Sequence, residues 1–137
     1  MRLAMKKAEA IGGMMARRKS FKQMIQAQVR KHLWKMDVHP SAWIAETALI
    51  DRTWPKGIHI AADVMIGEEV VVLTHDLTRG IYLDTYVGAR SQVGARAIIL
   101  PGITVGADCV IQPGALVNRD VPDGHVAEGN PAVSRPR

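Results

Sequence analysis

Residues 74–85 contain the side chains with the clearest capacity for chemistry, His75 and Asp76, followed by Arg79. A positioned imidazole accepts a proton near neutral pH, so a histidine in a loop suits general base catalysis. Adjacent side chains of an extended segment point in opposite directions, so Asp76 suits a surface or turn role as well as one of orienting His75. Arg79 is either solvated or in contact with an acidic substrate or a cofactor. From these residues alone, a loop histidine that merely caps a coil remains the alternative to a general base.

The elements that must position this segment repeat every six residues. Small or aliphatic residues follow the leading residue of each repeat four positions later. Hexapeptide periods are typical of parallel β-helices, in which each coil covers the edge of the one before it. The same phase is visible over residues 38–50 and 60–72, and it breaks at 51–57 and within 74–85. The most regular stretch has β-branched residues in the leading position at Val87, Val93, Ile99, Val105, Ile111 and Val117.

The length and composition of the chain agree with a single domain that folds as a narrow β-helix. The chain has 137 residues, of which 47% are hydrophobic but only 4% aromatic, so Ile, Val and Ala must form the core. The single cysteine, Cys109, excludes an intrachain disulfide and falls at a small inward position, which favours a buried thiol over a nucleophile. Since no apolar run approaches the length of a membrane span or resembles a signal peptide, we expect a cytoplasmic protein.

The net charge of +5 is unevenly distributed along the chain. Residues 1–36 carry ten Lys or Arg and one acid, whereas residues 37–137 carry eight Lys or Arg and twelve acids. The repeat region is therefore mildly acidic and does not predict a nucleic-acid-binding domain. Ser20 is positioned to cap a helix running from Phe21 to Leu33. We expect this helix to pack on the β-helix or on a neighbouring subunit, or to give residues 1–36 a peripheral membrane contact.

The sequence thus predicts a mainly β protein, a single-stranded parallel β-helix of hexapeptide repeats with a basic N-terminal helical segment. We place the helical segment at residues 1–37 and the β-helix at 38–121, with a loop at 74–85. Residues 122–137 follow as a C-terminal tail.

Besides the repeats and His75-Asp76, the chain contains the runs Ile99-Leu-Pro-Gly-Ile-Thr-Val-Gly, Asn118-Arg-Asp-Val-Pro and Gly129-Asn-Pro-Ala. By these features it resembles the hexapeptide-repeat acyltransferases over about residues 38–132, most closely the sugar and polysaccharide O-acetyltransferases. This resemblance implies a left-handed β-helix that forms a homotrimer with active sites between subunits. It also implies acetyl-CoA as the donor and a saccharide hydroxyl as the acceptor, and the chemistry of this transfer requires no metal.

The resemblance assigns the role of general base to His75, which matches the family's catalytic histidine. Acceptor contacts are expected from Asp76, Arg79 and Trp54, the last because an indole in the first break is placed either to stack on a ring or to pack at a subunit boundary. The family holds coenzyme A largely by backbone groups of the coils and by basic residues near the C-terminus. Carried over, the donor-binding positions are Ala95, Pro113, Asn118, Arg119 and Arg135.

Two of these donor positions differ from the family pattern in a way that has chemical consequences. Pro113 stands where the family has a small residue with an available N–H, which proline lacks. In the family a basic residue often follows the equivalent of Pro131-Ala132 directly, and here Arg135 and Arg137 are its expected substitutes. Arg119 keeps its charge at a matching position and is expected to reach the cofactor phosphates.

Three other functions share features with this sequence. A γ-type carbonic anhydrase would need three histidines on zinc, and no second histidine lies near His75 in the adjacent repeats. A serine acetyltransferase-like enzyme is a second alternative, because the runs that begin at Val38 and Ile66 loosely resemble that family. A non-catalytic β-helix scaffold subunit is the remaining alternative. Weaker claims to a site belong to His32, His39, His59, His125 and Trp43.

Overall fold

The computed structural model describes residues 17–137, in which three sheets, parallel except for the last strand of the chain, wind as one continuous β-helix. Each sheet takes one strand from each turn of the chain, so strands that pair are separated by a full coil. Sheet A contains β1 (Asp37–Val38), β4 (Ile58–Ile60), β9 (Thr85–Val87) and β12 (Thr104–Val105). Sheet B contains β2 (Trp43–Ile44), β5 (Met65–Ile66), β10 (Gln92–Val93), β13 (Val110–Ile111), β15 (His125–Gly129) and β16 (Ala132–Pro136). Sheet C contains β3 (Leu49–Ile50), β6 (Val71–Val72), β11 (Ile98–Ile99) and β14 (Leu116–Val117).

The leading residues of the hexapeptides form the core, as the period predicts. Val87 pairs with Val105, Val93 with Ile111 and Ile99 with Val117, each pair separated by 18 residues, which is one coil. All six are at most 3% exposed. Each such side chain stabilises the fold by about 1.5–3 kcal/mol through burial. The predicted parallel β-helix is therefore confirmed, whereas its left hand stays a prediction.

Among the described repeats, residues are inserted into the coils at only one of the three corners. Ile60 pairs with Val87, 27 residues away, and Val38 pairs with Ile60, 22 residues away, instead of 18. The excess lies between β3 and β4 in one coil and between β6 and β9 in the next. Both insertions therefore leave the β-helix where the chain passes from sheet C to sheet A, and they lie one above the other.

Helix α1 (Phe21–Gln28) continues into a π-helical turn (Val29–Leu33) and packs beside the first coil. Ser20 caps the helix as predicted: its Oγ accepts a hydrogen bond from the Gln23 N–H, while the Gln23 side chain accepts one from the Ser20 N–H. The remainder of the predicted helical segment, residues 1–16, lies outside the described residues. In the part of the chain that the structure covers, no helix has the length and apolar character needed to cross a membrane.

The C-terminal residues add to sheet B. Strand β15 pairs in parallel with β13 and then turns back as an antiparallel hairpin with β16. This hairpin places Arg135 opposite Val126. The predicted tail over residues 122–137 thus contains regular strands.

Candidate active site at the corner between sheets C and A

The corner where the chain passes from sheet C to sheet A, called here the C–A corner, consists of residues 51–57, 73–84, 100–103 and 118–120. In the regular coils the corner is short, as at 100–103. In the two longer insertions the chain has room for a short 3₁₀ turn (Pro55–Gly57) and a hairpin of β7 (His75–Asp76) and β8 (Ile81–Tyr82). Functional groups are often presented in such loops because the scaffold beneath them is rigid.

His75 and Asp51 form a hydrogen-bonded pair across the two insertions. Asp51 is the first residue after the buried Ile50, and its carboxylate is 3% exposed. The carboxylate oxygen Oδ2 accepts a hydrogen bond from Nδ1 of His75 and also from the backbone N–H groups of Thr74, at 2.9 Å, and His75, at 3.2 Å. Oδ1 accepts one from the Thr53 N–H at 2.9 Å. Four donors therefore converge on one buried carboxylate.

This donor set keeps Asp51 ionised. Burial raises the pKa of the Asp51 carboxyl, but the hydrogen bonds from Thr74, His75 and Thr53 together lower it more, so the pKa lies below its usual range. An ionised carboxylate can only accept, so the proton of a neutral His75 ring resides on Nδ1. The second ring nitrogen, Nε2, then carries a lone pair, and the side chain is 20% exposed. This is the tautomer that a general base requires.

Three hydrogen bonds fix the base of the loop that carries His75. The Leu83 N–H donates to the Thr74 carbonyl oxygen at 2.9 Å, and Thr85 Oγ1 donates to the Leu73 carbonyl oxygen at 2.6 Å. The buried Thr74 also donates from Oγ1 to the Trp54 carbonyl oxygen at 2.9 Å, which ties the second insertion to the first. Both ends of the loop are therefore held against the ladder of sheets A and C.

Two aromatic rings stand beside the imidazole. Tyr82 stacks on His75 with ring centroids 6.3 Å apart, and Trp54 meets Tyr82 edge-on at the same separation. Trp54 lies over Gly57, where a Cβ atom would approach the indole ring to 2.6 Å. The structure thus brings the predicted Trp54 and His75 together, with Tyr82 between them.

Asp76 and Arg79 bond to each other on the outside of the loop. The Asp76 carboxylate accepts hydrogen bonds from Thr78 Oγ1 at 2.6 Å and from Arg79 Nε at 2.7 Å. These hydrogen bonds, that from Thr78 first, lower the pKa of Asp76 well below its usual range. Asp51, and not Asp76, supplies the carboxylate that bonds to His75. Asp76 instead stabilises the turn. The roles of Asp76 and Arg79 toward an acceptor stay a prediction.

The predicted donor-binding residues fall at three places. Asn118 and Arg119 belong to the same C–A corner as His75, two coils further along the β-helix. They line a groove of about 360 Å³ together with residues of the C-terminal hairpin, including Pro131 and Ser134. The corner between sheets B and C carries the exposed Ala95 and Pro113, one coil apart.

Arg135 lies on the hairpin, where its guanidinium pairs with Glu128. The outward positions of sheet C separate the two corners and carry apolar side chains. These are Leu49, Val71, Ile98 and Leu116.

The other histidines of residues 17–137 do not bond to the Asp51–His75 pair, although Nε2 of His59 lies 3.4 Å from Oδ2 of Asp84 at the end of the second insertion. His59 lies on the outer face of sheet A, stacked on Tyr86 with centroids 4.4 Å apart and with Nδ1 2.8 Å from Asp37 Oδ2. His39 bonds to Ser41, and His125 starts β15. Within residues 17–137, no group of three or more His, Cys, Asp or Glu side chains is arranged to hold a metal ion. Cys109 is fully buried in the core.

Two residues of the candidate site were not predicted from the sequence. Tyr82 lies inside an irregular loop, and nothing in the period indicates its direction. Asp51 could have been identified from the sequence, because it is the first residue of the first break and directly follows an inward residue of sheet C. Leu73 holds the same position in the second break. Assigning successive hexapeptides to the three sheets in turn places both breaks at the same corner.

The comparisons with known proteins identify what this architecture is similar to. The bacterial transferase hexapeptide family (six repeats) matches residues 84–119. A putative acetyltransferase of Staphylococcus aureus strain MSSA476 is 32% identical over 110 residues, which cover 79% of this chain and 68% of that protein. The putative acetyltransferase YvoF of Bacillus subtilis strain 168 is 31% identical over 99 residues, 71% of this chain.

The fold has a close counterpart among solved structures. The maltose O-acetyltransferase of Clostridium difficile 630 superposes with a TM-score of 0.67 at 19% sequence identity, covering 96% of this chain and 84% of that one. Serine acetyltransferase 2 of Arabidopsis thaliana is also similar, 32% identical over 120 residues, or 84% of this chain. The chain spans 58% of the length of the B. subtilis relative and 36% of the A. thaliana one.

Proposed function

Because the chain belongs to the bacterial hexapeptide-repeat acetyltransferases, we propose that it transfers an acetyl group from acetyl-CoA to a hydroxyl group of a saccharide acceptor. The observation that carries this proposal is the hydrogen bond between His75 Nδ1 and the buried carboxylate of Asp51. It leaves Nε2 of a partly exposed imidazole as the proton acceptor. The likeness to a maltose O-acetyltransferase supports the fold, and the saccharide acceptor rests on the sequence resemblance.

In the proposed reaction, His75 Nε2 removes the proton of the acceptor hydroxyl as its oxygen attacks the thioester carbonyl carbon. The new C–O bond gives a tetrahedral oxyanion. Its collapse breaks the C–S bond, and the imidazolium returns the proton to the departing thiolate. Asp51 acts as a positioning residue: it holds the ring in the required tautomer and stabilises the positive charge that His75 carries between the two proton transfers.

We infer that the donor lies along sheet C. Asn118 and Arg119 border this sheet at the His75 corner, and Ala95 and Pro113 border it at the other corner. The apolar outward side chains of sheet C suit the pantetheine arm, while Arg119 suits a phosphate. Since the Arg135 guanidinium is already paired with Glu128, it would have to exchange partners to bind the donor.

The acceptor is proposed to bind over the rings of Trp54 and Tyr82, since aromatic faces pack well on the C–H faces of a sugar. The homotrimer implied by the family resemblance is retained as part of the proposal, because a second subunit would enclose the exposed C–A corner. We also propose that the enzyme works in the cytoplasm, where a lone cysteine is kept reduced.

Thiol release from acetyl-CoA, measured against a panel of saccharides and free serine, tests the proposal. We expect release that depends on a saccharide and falls about 10²–10⁴-fold in His75→Ala. His39→Ala is the matched control, because His39 is an exposed histidine at another corner. Saccharide-independent release, or full activity in His75→Ala, would contradict the proposal.

A serine acetyltransferase-like activity is the second candidate, favoured by the similarity to the A. thaliana enzyme. It predicts that release depends on serine rather than on any saccharide, and the same panel decides between the two. A non-catalytic scaffold predicts no acceptor-dependent release at all. In that case the Asp51–His75 pair would serve only to close the corner.

A further inference from the structure

Helix α1 packs on the β-helix through its polar side. Gln23 is only 6% exposed, and its Nε2 donates a hydrogen bond to the Ile44 carbonyl oxygen at 2.7 Å. Gln26 repeats this contact one turn later, with its Nε2 donating to the Glu46 carbonyl oxygen at 3.1 Å. The edge of the first coil is thus capped by side-chain amides rather than by apolar groups.

The apolar side of the same helix faces outward. Phe21 is 77% exposed, Met24 54% and Ile25 49%, and Leu33 at the end of the π turn is 67% exposed. Phe21, Met24 and Ile25 are three and four residues apart, so they share one face. A helix at the surface of a globular domain normally has the opposite arrangement, with its apolar stripe on the core. This face therefore fits a partner outside the described fold.

The charge that the helix and its flanking residues place around this apolar face is entirely positive, while Asp63 of the β-helix lines a groove with Met24. Residues 17–36 contain seven Lys or Arg and no Asp or Glu, and Arg17, Arg18, Lys22 and Lys31 among them are exposed. A second copy of the helix would bring like charges together. Residues 1–16 would do the same, since they carry three Lys or Arg against one Glu. The complementary partner is an apolar layer bordered by negative charge.

We propose that α1 and the π turn, residues 21–33, lie on the surface of an anionic lipid membrane. The exposed apolar side chains enter the boundary between headgroups and acyl chains, and the surrounding cations meet anionic headgroups. Because Gln23 and Gln26 fix the inner side of the helix to the first coil, the helix keeps its orientation when it binds. This surface does not depend on the proposed acetyl transfer.

Sedimentation of the full-length protein with lipid vesicles tests the inference. We expect binding to vesicles with about 30% phosphatidylglycerol in phosphatidylcholine, and much weaker binding to phosphatidylcholine alone. Raising the salt from about 0.1 M to about 1 M should weaken binding, because the screening length falls from about 10 Å to about 3 Å.

Two double variants separate the apolar and the electrostatic contributions. Phe21→Gln with Ile25→Gln should reduce partitioning by about tenfold or more, since both side chains lose apolar burial in the interface. Lys22→Gln with Lys31→Gln should reduce it by about 25-fold on anionic vesicles, at about fivefold for each charge. The matched control is Val133→Gln with Lys56→Gln, an exposed apolar side chain and an exposed cation elsewhere on the chain.

All substituted side chains are exposed, so thermal unfolding should be nearly unchanged, and this is measured for each variant. Equal binding to neutral and anionic vesicles, no binding by the wild type, or control-like binding by the two helix variants would each overturn the inference. So would a change of oligomeric state in Phe21→Gln with Ile25→Gln, measured by sedimentation velocity, if vesicle binding were retained. That outcome would assign the apolar face to a protein interface.

Discussion

Replacing Asp51 with asparagine changes one functional group at the point where the first insertion meets the second. The carboxylate accepts three donors at Oδ2 and one at Oδ1, whereas an amide has a single acceptor oxygen. If that oxygen keeps the Oδ2 position, the amide NH₂ faces the Thr53 N–H, which loses its acceptor. If the amide is turned round, the NH₂ faces His75 Nδ1 and drives the ring proton onto Nε2.

Both orientations reduce catalysis, by different amounts. With the oxygen toward His75, the tautomer survives but the imidazolium loses a charge-assisted hydrogen bond, which corresponds to about a tenfold loss in kcat. With the NH₂ toward His75, Nε2 is protonated and cannot act as a base, which corresponds to a loss of up to about 10⁴-fold. The first orientation leaves one backbone N–H without an acceptor, that of Thr53, and the second leaves two, those of Thr74 and His75. We expect the free energy of unfolding to fall by about 1–3 kcal/mol for each unpaired donor.

The assay combines kcat for thiol release with ¹⁵N NMR of the His75 ring, which reports the tautomer directly. Asp123→Asn is the matched control, because Asp123 Oδ1 accepts from the Ala107 N–H at 2.9 Å at a different corner. Its kcat should match that of the wild type. The reasoning fails if Asp51→Asn keeps kcat within about threefold, or if it reduces the residual rate of His75→Ala by the same factor as that of the wild type.

Three further predictions concern the donor, the aromatic contact and acid stability. Arg119→Gln should raise KM for acetyl-CoA several-fold with little change in kcat, whereas an unchanged KM would remove Arg119 from the donor site. Gly57→Ala should displace the Trp54 indole, because the new Cβ would lie 2.6 Å from the ring, and should shift tryptophan fluorescence and lower stability by about 1–3 kcal/mol. The depressed pKa of Asp51 contributes stability above its unfolded value of about 3.9, and this contribution is lost as the pH falls through the lower folded value. Urea unfolding of the wild type and Asp51→Asn should therefore converge as the pH is lowered below about 4, and an unchanged gap would contradict the shift.

The period of six was enough to predict the core because it determines which side chains point inward. Val87 and Val105 are alike in sequence and are stacked in the structure, and the same holds for Ile99 and Val117. A short strand with one inward position in each hexapeptide leaves little freedom for another packing. The helix cap at Ser20 was predictable for a similar reason, since it depends on residues within one turn.

The conformation of the insertions could not be predicted from the period, because their residues have no repeated partners. The direction of Tyr82 depends on the hairpin of β7 and β8, and that of Asp76 on the turn it makes with Thr78 and Arg79. The sequence also does not show that α1 packs on the β-helix through its polar side. Its spacing of apolar residues predicts an apolar face, but only the contacts of Gln23 and Gln26 show that the opposite face is the one that packs.

The position of the insertions explains how a buried carboxylate is tolerated beside a hydrophobic core. At the C–A corner the chain leaves the ladder, so the N–H groups of Thr53, Thr74 and His75 are free to turn toward one point. Asp51 satisfies these donors and is itself kept ionised by them, which makes the corner both a structural closure and a holder for the imidazole. In this chain the first break supplies the acid and the second supplies the histidine. The pair forms because the two breaks lie at the same corner of successive coils.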